Sequence, residues 1–510
     1  MDYTLKEHSI STATTLLDTV VQQVVDTDLT LPDYCPDIQK ILKCTMKPKI
    51  FTKNIMGGQL QVDGTTEVKI IYCDGIKSHF RVCEQMIPFS VTLPIKNLTD
   101  NFISFVNTKV EYINCRALSP RKLVIRGAFS LYAKVISKKE TMLYSPSDEA
   151  NLQTKTTPIE VMDIVAFSQD ELPINEQIVL SNKPSIESIL KTSLEISSIE
   201  YKTIPSKLLI NGELNLKMLY LADLDTGALQ NIDYILPFSH IIASDGLNED
   251  VITNVKGEIS NYEVRFRPDS NDSNPEITLD AKINFTVVGY NKINLDIIED
   301  AFSNKCQTDI NFSKQTLLKD INSVKETIMH KASINTDGID LNEVIEVSNE
   351  SCNVTTAISD DSVSVNGKMN ISIFAKDSEG IPLYIERMVE FNHKISSNSL
   401  YNNVEDITAT VGSISYRLAD NKGIELRCEI KLKATLANSE FCNFVSSVTE
   451  NEDMQYSKSK AALTIYFAHK GESVWNISKS YHSNYQAMLE ENDIKSEFLT
   501  EAKTLLIPLI

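Results

Sequence analysis

The residues best able to do chemistry are nine cysteines (Cys35, Cys44, Cys73, Cys83, Cys115, Cys306, Cys352, Cys428 and Cys442) and seven histidines (His8, His79, His240, His330, His393, His469 and His482). Their spacing suits neither a metal centre nor a nucleophile. No two cysteines have the CxxC spacing of a zinc ribbon or a dithiol redox site. The histidines are scattered, and there is no HExxH helix, Walker lysine loop, nucleophile elbow or cysteine–histidine signature. Carboxylates are plentiful, 69 Asp and Glu against 49 Lys and Arg. On an acidic surface such groups are normally solvated. The expectation is a protein that is not an enzyme and holds no cofactor or metal. An odd cysteine count suits buried free thiols, with redox cross-linking in an extracellular layer as the alternative.

A net charge of −20 opposes nucleic acid or anionic lipid as a main partner, since both demand a basic footprint. The start MDYTLKEHSI has no basic segment followed by an apolar run, and no stretch approaches the ~20 apolar residues that span a bilayer. A cytoplasmic protein with no transmembrane segment is expected. At 510 residues the chain is too long for one core, and about three or four domains are expected.

Most of that length is one unit repeated. PDIQKIL at 36–42 returns as PSIESIL at 184–190, an offset of 184 − 36 = 148, and VDGTTEVKIIY at 62–72 returns as INGELNLKMLY at 210–220. A third copy, at an offset of 339 − 36 = 303, reads IDLNEVI and then VNGKMNISIF. A period near 150 means duplicated domains, not solenoid turns. Strict alternation in each copy, such as Leu208, Ile210, Leu214, Leu216, Met218 and Tyr220, predicts a long strand with one buried face. Gly64, Gly212 and Gly367 keep that parity, so a bulge or close approach within the strand is expected in preference to a turn. Phe89, Phe238 and Phe391 end the next strand signal. Arg116, Arg267 and Arg417 are equivalent in the closing hairpins; they either pair with nearby acids or line a shared ligand site. The i, i+3, i+4 spacing of Ile38, Ile41 and Leu42, and of Ile186, Ile189 and Leu190, predicts a short helical turn before each long strand. The more polar connectors fall at 137–168 and 291–328, and 315–331 fits a connecting helix. The expected fold is mainly β, with three tandem sandwich-like domains at 21–136, 169–290 and 329–437.

After a polar linker at 446–460 the pattern changes. A strand at 463–469, a helix at 473–481 capped by Ser473, a second helix at 484–492 and a strand at 503–510 make a small α/β domain, βααβ, at 463–510. Val474, Ile477, Leu489, Leu506 and Ile507 are its expected core. Trp475, the only tryptophan of the chain, lies two positions from Ile477 and so off the main apolar stripe. It is expected to be partly exposed, as an anchor for a protein partner, with a place in the small domain's core as the alternative.

Tyr466, Lys470-Gly471-Glu472-Ser473-Val474-Trp475, Ile477, Tyr481, Asn492 and Leu506-Ile507-Pro508 resemble the LysM module. That resemblance implies a shallow groove for N-acetylglucosamine polymers or a protein, lined by Gly471, Glu472, Ser473, Asn492, Asp493 and Ile494. The family's proline-glycine-glutamine turn is replaced here by Thr500-Glu501-Ala502-Lys503, so weak glycan binding at most is expected. LPDYCPDIQKIL, VDGTTEVKIIY, MIPFSVTLPI and SPRKLVIRGAF resemble the SPOCS domain of endospore-former envelope proteins, as do the second copy and, more weakly, the third. Three such domains before one LysM module resemble the SipL-like family of clostridial spore coat morphogenetic proteins. The resemblance implies a scaffold or adaptor made in the mother-cell cytoplasm. It would sit at the forespore surface, bind a SpoIVA-type coat ATPase through LysM, and offer β surfaces to other coat or SPOCS proteins. The alternative is a LysM protein bound to peptidoglycan, in wall, cortex or phage tail.

Overall fold

The computed structural model describes residues 3–508 except 148, 150, 268–273, 360–361, 397–400, 420–422 and 457–462. Its first unit contains β1 (Lys6–Thr30), β2 (Ile38–Met56), β3 (Gln59–Asp74), β4 (Phe80–Pro94), β5 (Phe102–Ser119) and β6 (Lys122–Ser145). The second contains β7 (Leu152–Val179), β8 (Ser188–Ile204), β9 (Lys207–Leu221), β10 (Leu229–Ala243), β11 (Ile252–Phe266) and β12 (Glu276–Ser303). The third contains β13 (Cys306–Asn335), β14 (Leu341–Ser359), β15 (Ser362–Asp377), β16 (Pro382–Ser396), β17 (Asn403–Ala419) and β18 (Gly423–Gln455).

Each unit is two antiparallel three-stranded sheets packed face to face. The orders are β1-β6-β5 on β2-β3-β4, β7-β12-β11 on β8-β9-β10, and β13-β18-β17 on β14-β15-β16. The alternation in the sequence explains this directly. Leu208, Ile210, Leu214, Leu216, Met218 and Tyr220 of β9 all enter the core of the second unit, and Val363, Val365, Met369, Ile371 and Ile373 of β15 enter that of the third.

The three glycines lie inside strands. Gly64, Gly212 and Gly367 stand directly opposite Phe89, Phe238 and Phe391 in the ladder. A Cβ on any of them would run into the facing phenylalanine ring. Each ring fills the space that its glycine leaves, a device that pins strand register.

The repeated proline and tyrosine are joined by a repeated bond. The Tyr72 hydroxyl donates to the Pro36 carbonyl and the Tyr220 hydroxyl to the Pro184 carbonyl, both at 3.1 Å. The third unit has Ile339 and Ala375 in these places, and so keeps the topology without this bond.

Three expected helical segments are strand instead. The segments around Ile38–Leu42 and Ile189–Leu190 open β2 and β8, with β-bulges between Ile38 and Lys40, Ile41 and Lys43, and Ile189 and Lys191. A bulge inserts one residue, so i and i+3 fall on one face of a strand as they do on a helix. The expected helix at 315–331 lies within β13, which carries a bulge between Leu318 and Asp320. The connectors read as polar are also strand. The units extend from Lys6 to Ser145, Leu152 to Ser303 and Cys306 to Gln455, beyond the 21–136, 169–290 and 329–437 limits. The 446–460 linker is mostly the end of β18, with 457–460 outside the described residues.

These long ends form two-stranded stems, which are marginal alone. They are stabilised by one another. Ile10 and Leu143 of the first stem, Ile159, Val161 and Ile297 of the second, and Leu317, Cys442 and Phe444 of the third share one buried cluster. At the β2-β3-β4 sheet and its equivalents a second three-way core forms. It joins Leu42, Leu190 and Ile345, and Ile71, Leu219 and Phe374. Within each trio the residues are 148 and 303 positions apart (190 − 42 and 345 − 42; 219 − 71 and 374 − 71). Equivalent residues therefore meet, and the three units close around a pseudo-threefold axis. A lysine crosses each interface: Lys69 Nζ donates to the Ile189 carbonyl at 3.3 Å, Lys191 pairs with Glu350 at 2.6 Å, and Lys43 pairs with Glu386. All nine cysteines are free thiols, six of them buried.

Candidate functional site

The C-terminal domain consists of β19 (Thr464–Ala468), α1 (Val474–Tyr481), α2 (Tyr485–Glu491) and β20 (Lys503–Ile507). Ser473 caps α1 by accepting from the Asn476 N–H at 3.3 Å, and Asn484 caps α2 by accepting from Ala487 at 2.9 Å. Its core is Ala468, Val474, Ile477, Met488, Leu499, Leu505 and Ile507, with Leu489 packed against it. Leu506 was expected there. Strand alternation turns it outward instead, and Leu505 takes its place.

Trp475 stands outside this core, as its helix position implies, but it is not partly exposed. It retains 2% of its accessible surface. The body of the protein covers it. The indole N–H donates to Asp300 Oδ2 at 2.8 Å, and the ring meets Phe302 edge-on with centroids 5.0 Å apart. Lys479, one helical turn from Trp475 on the same side of α1, donates to both oxygens of Asp300 at 2.6 and 2.8 Å. Around this anchor, the Tyr485 N–H donates to Gln153 Oε1 at 3.0 Å, Lys155 pairs with Glu497 at 2.9 Å, and His482 stacks on Tyr456. Burial works against the Lys155 charge, but Glu497 and Glu299 outweigh it and hold its pKa above the ordinary lysine value. Burial alone pushes the His482 imidazole below its ordinary value. The domain thus docks on the second stem through a hot spot of the kind that aromatic anchors supply in interfaces, here within one chain.

The remaining groove residues divide. Gly471 and Asp493 are exposed, both with left-handed backbone (φ +87° and +49°). Glu472 and Ile494 are half-buried. Ser473 and Asn492 are buried and occupied structurally. Ser473 donates to Glu497 at 3.0 Å. The Asn492 amide donates to the Leu506 carbonyl at 2.8 Å and accepts from its N–H at 2.6 Å, which ties α2 to β20. The 471–474 turn is held to the 497–499 segment by Gly471 N–H to Leu499 O, Leu499 N–H to Glu472 O, and Val474 N–H to Glu497 O. Among the described residues no hydrogen bond joins 471–473 to 492–494 directly.

A surface that sequence reading missed lies on the two-stranded sheet. Ile465 pairs with Leu506 and Phe467 with Thr504. Ile465, Phe467 and Leu506 are exposed, Phe467 by 75%. The signal was available in principle, since β19 is apolar at both alternations and only one can face a core this small.

Three sandwich units closed on themselves, with a βααβ module docked at one stem, define a SPOCS–LysM protein. The family model described as "SipL, SPOCS domain" matches residues 37–118 and 185–267, and the LysM domain model matches 469–508. The chain is therefore similar to SipL-like proteins in carrying SPOCS domains ahead of a LysM domain. The third unit, outside both matches, has the sheet topology of the other two. No curated protein and no solved structure matches. Among the described residues no helix is long and apolar enough to cross a membrane, and no group of three His, Cys, Asp or Glu is placed to hold a metal.

Proposed function

We propose that this chain is a non-enzymatic spore coat scaffold that tethers the coat to the forespore surface from the mother-cell side. Its LysM domain captures a SpoIVA-type basement-layer ATPase, and its SPOCS units offer surfaces to other coat proteins. The observation carrying this reading is the orientation of the docked LysM domain. Trp475 and Lys479 are engaged on Asp300, so the capture surface is what docking leaves open: Ile465, Phe467 and Leu506, with Gly471 and Asp493. An exposed apolar patch suits a protein partner, because such patches mark protein interfaces. Co-purification of the ATPase with the full-length chain and with Phe467→Glu tests it. Capture by the parent and at least tenfold weaker capture by the variant are expected. Submicromolar calorimetric binding to chito-oligosaccharides, without capture of the ATPase, would support peptidoglycan binding instead.

A further inference from the structure

The outer face of the sheet β13-β18-β17 breaks a charge pattern that the first unit keeps. In the first unit Asp26 of β1 lies directly opposite Arg126 of β6, and the two form an ion pair at 3.7 Å. In the third unit the equivalent ladder position is Lys331 opposite Arg427, with Ser415 of β17 on the other side of Arg427. Like charges placed directly opposite are destabilising in a sheet. Among the described residues neither Lys331 nor Arg427 has an ion-pair partner. The two acids flanking Arg427 along β18 on this face are both engaged elsewhere: Glu429 accepts from the Ser413 hydroxyl at 3.4 Å, and Glu425 is held by Arg417 at 2.7 Å.

The next row on the same face is Ser333, Glu425 and Arg417. Arg417 holds the Glu425 carboxylate at 2.7 Å. The two rows line one groove of about 490 Å³. Among the described residues it presents three cations, Lys331, Arg417 and Arg427, against one carboxylate, on a chain whose net charge is −20. Rows two residues apart are separated by about 7 Å along the strands. That is also the spacing between alternate side chains of an extended peptide.

We propose that this face of the third unit is a docking site for an acidic protein segment, bound extended, with carboxylates on alternate residues. Lys331 and Arg427 take one carboxylate, and Arg417 takes the next in exchange for Glu425. Charge complementarity selects this occupant, since the groove is basic on a chain that is acidic as a whole. The site stands on the third unit alone and does not depend on what the LysM domain captures.

The test uses the full-length protein and a fluorescein-labelled hexaglutamate peptide, read by fluorescence anisotropy at low salt. Saturable binding is expected. It should weaken at least tenfold in Lys331→Asp and in Arg427→Gln, survive in Lys331→Arg, and fall as salt screens the charges. Lys331→Asp rebuilds the acid–arginine pair of the first unit, so its melting temperature should not drop, and loss of binding is then not loss of fold. Absence of saturable binding, or unchanged binding in both Lys331→Asp and Arg427→Gln, would overturn the proposal. Displacement by inorganic phosphate at concentrations no higher than the peptide's carboxylates would also overturn it, because it would make the groove a small-anion site.

Discussion

The Trp475 indole N–H donates to Asp300 Oδ2 at 2.8 Å across 175 residues of sequence. Asp300 follows a bulge in β12, between Ile298 and Asp300, that sets its carboxylate toward α1. Trp475 is the only tryptophan, so intrinsic fluorescence reports this contact without a label. Asp300→Lys should undock the LysM domain and shift tryptophan emission to longer wavelength. Trp475→Glu should undock it as well, while an isolated 460–510 fragment carrying that change keeps its helical circular dichroism. The module's core does not include Trp475. An unshifted spectrum in Asp300→Lys would show that the domain is held by other contacts.

The glycine–phenylalanine pairs give a stability prediction. Gly367→Ala places a methyl against the Phe391 ring and should cost about 1–3 kcal/mol, the range for overpacking a core. Gly64→Ala and Gly212→Ala should cost at least as much, because their Cβ would also meet the Lys49 and Ser198 carbonyl oxygens. In a Phe391→Leu background the cost of Gly367→Ala should shrink, because the obstructing ring is gone. Urea denaturation of the four-member cycle measures this coupling. Additive effects would mean that the ring is not the obstacle.

Lys47 of the first unit sets its Nζ 3.6 Å from the centre of the Tyr262 ring of the second. Burial drives its pKa down to about 7, and Glu67 only partly resists. Unfolded, the amine titrates near 10.5. Between those values the unfolded chain binds more protons, so the stability contributed through this group rises with pH across the window. Below about pH 7 both states are charged and the penalty is complete, less what the ring face returns. Lys47→Met should therefore stabilise the protein at pH 6 by about 1–3 kcal/mol, and by less at pH 9.5. Equal gains at both pH values, or none, would contradict this origin.

Much of this fold can be read from the chain, and what cannot has physical causes. Alternation exposed the strands of each sandwich, and parity through Gly212 predicted its place opposite a core residue. The same rule failed where a bulge changes the parity. Leu317, Val324 and Ile328 are spaced seven and four apart, as on a helix face. In β13 the bulge after Leu318 brings them to one side of a strand. The closure of three units around an axis has no local signal, because Leu42, Leu190 and Ile345 look like ordinary core residues within their own repeats. In the LysM domain the helices and their caps were legible, and Trp475 was correctly set apart from the stripe. Its cover was not legible, since nothing near Asp300 in sequence marks it as a socket.

In the proposed function, the open face of a docked LysM domain anchors this scaffold to a protein layer on the forespore. This anchoring is tested most directly by imaging fluorescent fusions of the full-length protein and of Phe467→Glu in sporulating cells. Phe467 is 75% exposed, so its replacement leaves the core intact. A shell around the forespore is expected for the parent and diffuse mother-cell signal for the variant. A shell that persists unchanged in Phe467→Glu, or a parent that never encircles the forespore, would contradict it.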